Sequence, residues 1–125
     1  YKIGLITNKN ISKLLIVFRV QKHKSSKILR IIDIYGYYKI LSKCYEIFLK
    51  LLKDENAEYI DFLQFGIDHK FLAKCNFELN KYDKIIIPSY FSPYLHKNVR
   101  ILSAFRTKQK KIVIVKGDGD QDIPH

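Results

Sequence analysis

The first part of the chain alternates apolar and polar residues in three runs, which predict three β-strands. The runs cover residues 1–7, 11–22 and 27–35. Asn8-Lys9-Asn10 and the polar stretch 23–26 separate them, and both are typical of tight turns. Strands joined by turns this short pair antiparallel. The pattern therefore predicts an antiparallel meander that stops at Gly36.

The pattern becomes helical after Tyr37. Between residues 40 and 52 the apolar positions form one broad stripe, and charged or polar residues fill the opposite side. Residues 54–56 end this helix, and the nearly continuous apolar run 57–65 predicts a strand buried on both faces. A strand, a helix and a second strand imply a parallel pair with a right-handed crossover. We therefore expect segments 28–35 and 57–65 to lie side by side in the same direction.

The rest of the chain predicts one short helix and three strands. Gly66 ends the preceding strand, and apolar residues at helical spacing predict a helix over 67–75. The strands cover residues 83–90, 101–106 and 111–116, of which the last two form a hairpin, and an acidic tail covers 117–125. Residues 1–125 are expected to form a single domain. Its predicted class is α/β (α+β), with a mixed, mainly antiparallel sheet, one parallel βαβ pair and two helices.

Composition adds a strong positive charge. The formal net charge is +11 over 125 residues, and 47% of the residues are hydrophobic, as in a globular domain. Such a charge suggests a polyanionic partner. However, only four of the 23 basic residues are Arg, the side chain that grips phosphate and guanine bidentately, so a solvated Lys-rich surface is the favoured explanation. The apolar stretch 14–18 falls far short of the ~20 residues that span a bilayer, and we expect a cytoplasmic protein without a membrane partner.

The order of these elements is similar to that of the GNAT superfamily of acyl-CoA acyltransferases, over residues 1 to about 116. The amino-acid sequences of residues 47–53 and 57–61 also resemble the family, and so does Phe71-Leu72-Ala73-Lys74-Cys75-Asn76-Phe77. In that family two parallel strands splay apart, and the pantetheine arm of the cofactor enters between them. The pyrophosphate binds the N-terminus of the intervening helix, whose free amides attract anions. The resemblance implies acetyl-CoA or another acyl-CoA as co-substrate, and no metal.

Several positions depart from the family pattern. With Gly36 on the first glycine of the family's phosphate loop, Asp33 stands at its Arg or Gln position and Tyr38 at its small residue. Leu72 stands where the family often has a Tyr that protonates the departing thiolate. The helices between the first two family strands are missing, and the chain begins at Tyr1 rather than Met. We therefore expect a degenerate, N-terminally truncated member.

The resemblance assigns the cofactor to the turn after the third strand, at Ile34, Tyr35, Gly36, Tyr37, Tyr38 and Lys39. The candidate catalytic residues are Asp33 and Asp61, which could meet across the cleft, His69 as a base and Tyr38 as a phenol acid. Each has a structural alternative. The carboxylates would face solvent or a lysine, His69 would be an ordinary surface residue, and the tyrosines would pack the rim of the sheet.

The predicted function is acyl transfer from an acyl-CoA to a small-molecule acceptor with an amine or hydroxyl group, such as a sugar. The alternatives are a Lys-rich module that binds nucleic acid or another polyanion, and a non-catalytic GNAT-like interaction domain. By analogy with similar folds, the C-terminal strand pair would form a homodimer. Cys44 and Cys75 fit buried, reduced, structural thiols. Residues 118–122 alternate acids like a calcium loop but lack the Gly at its sixth position and the Glu at its twelfth, so no metal is predicted.

Overall fold

The computed structural model describes residues 1–80, 85–87, 97–98 and 104–119. Its strands are β1 Lys2–Asn8, β2 Ile11–His23, β3 Ser26–Gly36, β4 Tyr59–Phe62, β5 Gln64–Phe65 and β6 Ile114–Val115. Its α-helices are α1 Tyr45–Glu55 and α2 His69–Ala73, and two 3₁₀ helices cover Tyr38–Lys43 and Lys116–Asp118. This content confirms the predicted mixed α/β class. Among the described residues, no helix is long and apolar enough to cross a membrane.

The main sheet has four strands in the order β1-β2-β3-β4. β1 pairs antiparallel with β2, and β2 pairs antiparallel with β3. Between β1 and β2, Lys9 and Asn10 both take positive φ angles, of 50° and 61°. Two such residues make the tight turn whose twist suits a hairpin. β3 pairs parallel with β4, which confirms the predicted meander and the predicted parallel pair.

The core lies between one face of this sheet and the helices. Leu14, Ile16, Phe18, Leu29 and Ile31 contribute from the sheet, and all are buried.

The helices supply Leu41, Cys44 and Phe48 to the same cluster, and α2 adds Leu72. The helix α1 ends at Glu55, and the left-handed conformation of the following residue, Asn56, caps its last turn.

The predicted helix over 40–52 is divided in two. The 3₁₀ helix Tyr38–Lys43 comes first, and α1 begins only at Tyr45, after Cys44. Leu41 and Cys44 are both almost fully buried. Residues three apart stack on the same side of a 3₁₀ helix, so this geometry directs both side chains into the core. The prediction of one continuous helix was wrong at its first turn.

The predicted strand over 57–65 is also divided. β4 ends at Phe62, and β5 belongs to a second, two-stranded sheet in which it pairs antiparallel with β6. Gly66 follows with a φ of 97°, and a Cβ at this position would overlap the carbonyl oxygen of Ile112. The close approach of residue 112 thus requires glycine at position 66 and accompanies the pairing of β5 with β6 rather than with β3.

The predicted C-terminal hairpin is wrong where the structure describes it. Residues 104–106 hold no strand, and β6 pairs with β5 instead. The strand predicted over 83–90 lies mostly outside the described residues, and its described part, 85–87, is not a strand. Of the predicted tail, residues 117–119 are described, and residues 120–125 lie outside the described part.

Candidate functional site

β3 continues past the end of its parallel neighbour. The two strands pair only from Ile28 opposite Tyr59 to Ile31 opposite Phe62. β3 then runs on to Gly36, while the chain after Phe62 leaves for the second sheet. Residues 32–36, called the β3 edge below, therefore lose β4 as a neighbour. The two parallel strands thus pair over four residues of each, and the segments that follow have different neighbours.

A β-bulge lies at the start of the β3 edge. Val17 pairs with Asp33 and Phe18 with Ile31, so Ile32 is an extra residue in β3. The bulge reverses the side-chain alternation of the strand. As a result Ile34 joins Ile31 in the core, while Asp33 is exposed.

The bulge also places Asp33 beside its own backbone. The N–H of Ile34 donates to Oδ1 of Asp33 over 2.7 Å. The carbonyl oxygen of Ile34 lies 3.5 Å from the Tyr38 hydroxyl, which is long for a hydrogen bond. Of the residues predicted for the site, Asp33, Ile34 and Tyr38 are thus brought together.

The turn after β3 differs from the predicted anion site. Gly36 has a φ of 127°, and a Cβ there would overlap the carbonyl oxygen of Lys13 in β2. The N–H of Tyr37 donates to that same oxygen over 2.7 Å. Gly36 is therefore required by packing against β2, and the Tyr37 amide, which was predicted to face a phosphate, is used within the sheet.

The environment of Tyr38 keeps its phenol in the protonated form. Burial raises the pKa of its phenol above the ordinary value, and the nearby Asp33, Tyr35 and Asp118 raise the pKa further. The phenol is therefore protonated at neutral pH. Its hydroxyl, near Ile34, is a proton donor at the end of β3.

Asp61 has a structural partner. Its Oδ2 accepts from Nε of Arg30 over 2.6 Å, and only 4% of the Arg30 side chain and 14% of the Asp61 side chain are exposed. The two residues are opposite each other in the parallel ladder. Asp61 and Asp33 thus have different partners, and their predicted meeting across the cleft is not among these contacts.

The chain's own C-terminal segment, residues 114–119, lies against the β3 edge. A Cβ at Gly117 would stand 3.2 Å from the carbonyl oxygen of Ile32 and 3.7 Å from Cβ of Asp33. Val115 is buried in the core, and its N–H donates to Oδ2 of Asp118 over 2.8 Å, which closes the turn that follows. The segment thus packs against Ile32 and Asp33 of the β3 edge.

The other predicted residues lie on the surface. Tyr35, Tyr37 and Lys39 are exposed around the turn, and Tyr35 is 77% exposed. His69 is exposed at the first position of α2, after the capping residue Asp68. None of the contacts found for these four residues ties them to Asp33 or Ile34.

Sequence reasoning missed two parts of this site. The pairing of Arg30 with Asp61 depends on the register of a parallel ladder, which neither residue's neighbours reveal. The C-terminal segment was interpreted as half of a hairpin and an acidic tail. Its short apolar run, 112–115, was a sufficient signal for a strand but not for the choice of partner.

The described residues contain no group of three or more His, Cys, Asp or Glu side chains placed to hold a metal ion. Cys44 and Cys75 are free, buried thiols. Their S–H groups donate to the carbonyl oxygens of two consecutive residues. Cys44 donates to Ile40 over 3.1 Å, and Cys75 donates to Leu41. They therefore have structural partners.

Comparison with known proteins gives no further guide to this site. No protein-family model, no curated protein and no solved structure matches the chain.

Proposed function

We propose that this chain binds the pantetheine arm of an acyl-CoA along the β3 edge and transfers its acyl group to a small amine or hydroxyl acceptor. One observation carries the proposal: β3 and β4 pair in parallel over residues 28–31 and 59–62 and then diverge. A strand edge without a neighbouring strand offers backbone donors and acceptors. Pantetheine has two amide groups that match such an edge. The resemblance to GNAT acyltransferases supplies the acceptor class.

The chemistry would use Ile34, Asp33 and Tyr38. For the N–H of Ile34 to polarise the thioester carbonyl, the carboxylate of Asp33 has to move away from it. The acceptor nitrogen or oxygen then attacks the carbonyl carbon, a C–N or C–O bond forms, and the C–S bond breaks. Tyr38 gives its proton to the thiolate sulfur, and Asp33 takes the proton that the acceptor loses. Asp33 then returns that proton to the nearby phenolate, which restores both groups.

A non-catalytic interaction domain is the second candidate, and a specific observation favours it. Gly117 lies against Ile32 and Asp33, in the space where a pantetheine arm would lie. If this contact is permanent, the domain has no cofactor site. The Lys-rich surface, with a net charge of +11, favours polyanion binding in that case.

Calorimetric titration with acetyl-CoA and CoA tests the proposal. A ligand that binds the folded state raises the melting temperature by mass action, so a thermal shift at millimolar CoA is the second readout. The matched control ligand is adenosine 3′,5′-bisphosphate, the nucleotide part of CoA without the pantetheine arm. We expect CoA to bind clearly more tightly than this nucleotide.

Two results would contradict the proposal. The absence of any heat or thermal shift at millimolar CoA removes the acyl-CoA function. Equal binding of CoA and the bisphosphate, lost together as salt rises, assigns the affinity to the Lys-rich surface instead.

A further inference from the structure

The C-terminal segment contacts the same strand edge that the proposed cofactor would bind. Beyond Ile31, β3 has no pairing with β4, and Gly117 lies so close that its missing Cβ would stand 3.2 Å from the Ile32 carbonyl oxygen. This separation is tight even for a methyl group. A pantetheine arm therefore cannot lie beside Ile32 while Gly117 is there.

The segment is held at its two ends by unequal contacts. At one end Val115 is buried in the core and paired with Gln64 of β5. Lys116, the next residue, is buried as well, with 6% of its surface exposed. Beyond it, Gly117 and Gly119 have no side chains, and both are exposed. The turn between the ends is closed by the Val115 N–H on Asp118. Exposed glycines belong to the parts of a fold that open at low cost.

We propose that residues 117–119 form a built-in cover of the β3 edge, which must be displaced before the pantetheine arm of an acyl-CoA can bind. Val115 and Lys116, which are both buried, remain docked as the anchor of the cover. This inference rests on the proposed acyl-CoA function and adds its regulation. The affinity for acyl-CoA is lowered by the fraction of molecules in which the cover is closed.

The first test locks the cover with a disulfide. In the double variant Asp33→Cys/Gly117→Cys the two Cβ atoms would be 3.7 Å apart, which suits a disulfide bond. Oxidised glutathione forms the bond, and mass spectrometry of proteolytic peptides identifies it against Cys44 and Cys75. CoA binding is then measured by calorimetry on the oxidised protein and on the same protein after reduction. We expect the oxidised form to bind CoA at least roughly tenfold more weakly.

The second test opens the cover without touching the proposed site residues. Gly117→Val adds a branched side chain that crowds the Ile32 carbonyl oxygen, which would lie 3.2 Å from its Cβ. Gly119→Val is the matched control, because the nearest atom to its added Cβ is the Lys116 oxygen at 3.9 Å, an ordinary contact. We expect Gly117→Val to bind CoA more tightly than the native chain, and Gly119→Val to bind like it. Circular dichroism confirms that both variants are folded.

The outcomes distinguish a failure of the proposed cover from a failure of the proposed acyl-CoA function. If no disulfide forms between positions 33 and 117, or if the oxidised and reduced forms bind CoA equally, the cover is overturned and the acyl-CoA function stands or falls on the native titration. If CoA binds neither the reduced double variant nor folded Gly117→Val, the function and the cover are both overturned.

Discussion

Gly36 shows how one residue combines a conformational and a packing requirement. Its φ of 127° is a region that side-chain-bearing residues rarely adopt, and its Cα faces the carbonyl oxygen of Lys13. The same oxygen accepts the Tyr37 N–H. The end of β3 and the start of the following 3₁₀ helix are therefore fixed by contact with β2.

We expect Gly36→Ala to destabilise the fold by about 2–4 kcal/mol, the sum of backbone strain and overpacking. Gly4→Ala is the control, because its added Cβ would meet Phe18 at 3.8 Å, an ordinary contact. The control should change the free energy of unfolding by less than about 1 kcal/mol. Urea denaturation measures both. Equal effects of the two substitutions would contradict the packing explanation.

The two cysteines give the fold a pH dependence at alkaline pH. Burial raises the pKa of Cys44 from 9.0 to about 11, and the neighbouring Cys75 contributes. Burial raises the pKa of Cys75 as well, and its hydrogen bond at Cys44 opposes this. Between pH 9 and about pH 11, the Cys44 thiol loses its proton in the unfolded state but keeps it in the folded state. The stabilising contribution is thus complete below pH 9 and is lost as the pH rises toward 11.

From Cys44 alone, we expect the free energy of unfolding to fall by about 1 kcal/mol between pH 8 and pH 10. Lysines and tyrosines also titrate in this range, so the Cys44→Ala variant supplies the baseline. Urea denaturation at the two pH values measures the difference. A native chain that loses no more stability than Cys44→Ala would show that the buried thiol does not titrate as described.

At the scale of elements, the parallel pairing of β3 with β4 includes a buried ion pair. The parallel ladder has four residue pairs, and Arg30 and Asp61 form one of them. Taking one partner away leaves the other charge buried, which costs more than the pair contributes. The pairing of the two strands ends one residue beyond this ion pair, at Ile31 and Phe62.

We expect Asp61→Ala to lower the free energy of unfolding by about 3 kcal/mol. The double variant Arg30→Met/Asp61→Leu should recover most of this loss, because neither position of the pair then carries a charge. Denaturation followed by far-UV circular dichroism gives both values. A double variant as unstable as Asp61→Ala would mean that the charge is not the cause.

The elements also show how far the sequence predicts this fold. The runs of β1 to β3 and the helical stripe of α1 have local patterns, and the structure confirms them. The break at Leu63 has no local signal, because residues 57–65 contain no Gly or Pro and mix apolar with polar residues on both sides of it. The partner of β6 is set by the approach of Ile112 to Gly66, a contact between distant residues.

The candidate site, like the fold, is predictable from the sequence only in part. The sequence located Asp33, Ile34, Gly36 and Tyr38 near one turn because they are close along the chain. It did not show that a β-bulge at Ile32 would expose Asp33 and bury Ile34, since a bulge depends on the pairing with β2. It also gave Gly36 a role at a phosphate, where the structure shows contact with Lys13.

At the scale of the whole molecule, the two sheets differ in how far apart their strands lie along the chain. The main sheet is made of consecutive elements, from β1 to β4. The second sheet joins Gln64 and Phe65 to Val115 and Ile114, in a ladder of two residue pairs. One sheet therefore depends on local contacts and the other on a long-range contact.

This difference sets the order in which the molecule assembles. Closing the long loop between Phe65 and Ile114 costs conformational entropy, and two ladder pairs offset little of it unless the first sheet already exists. The N-terminal hairpins are thus expected to form in the transition state for folding, and β6 to dock after it. The last strand to arrive is also the first to detach, so unfolding of this chain should begin at its C-terminal end.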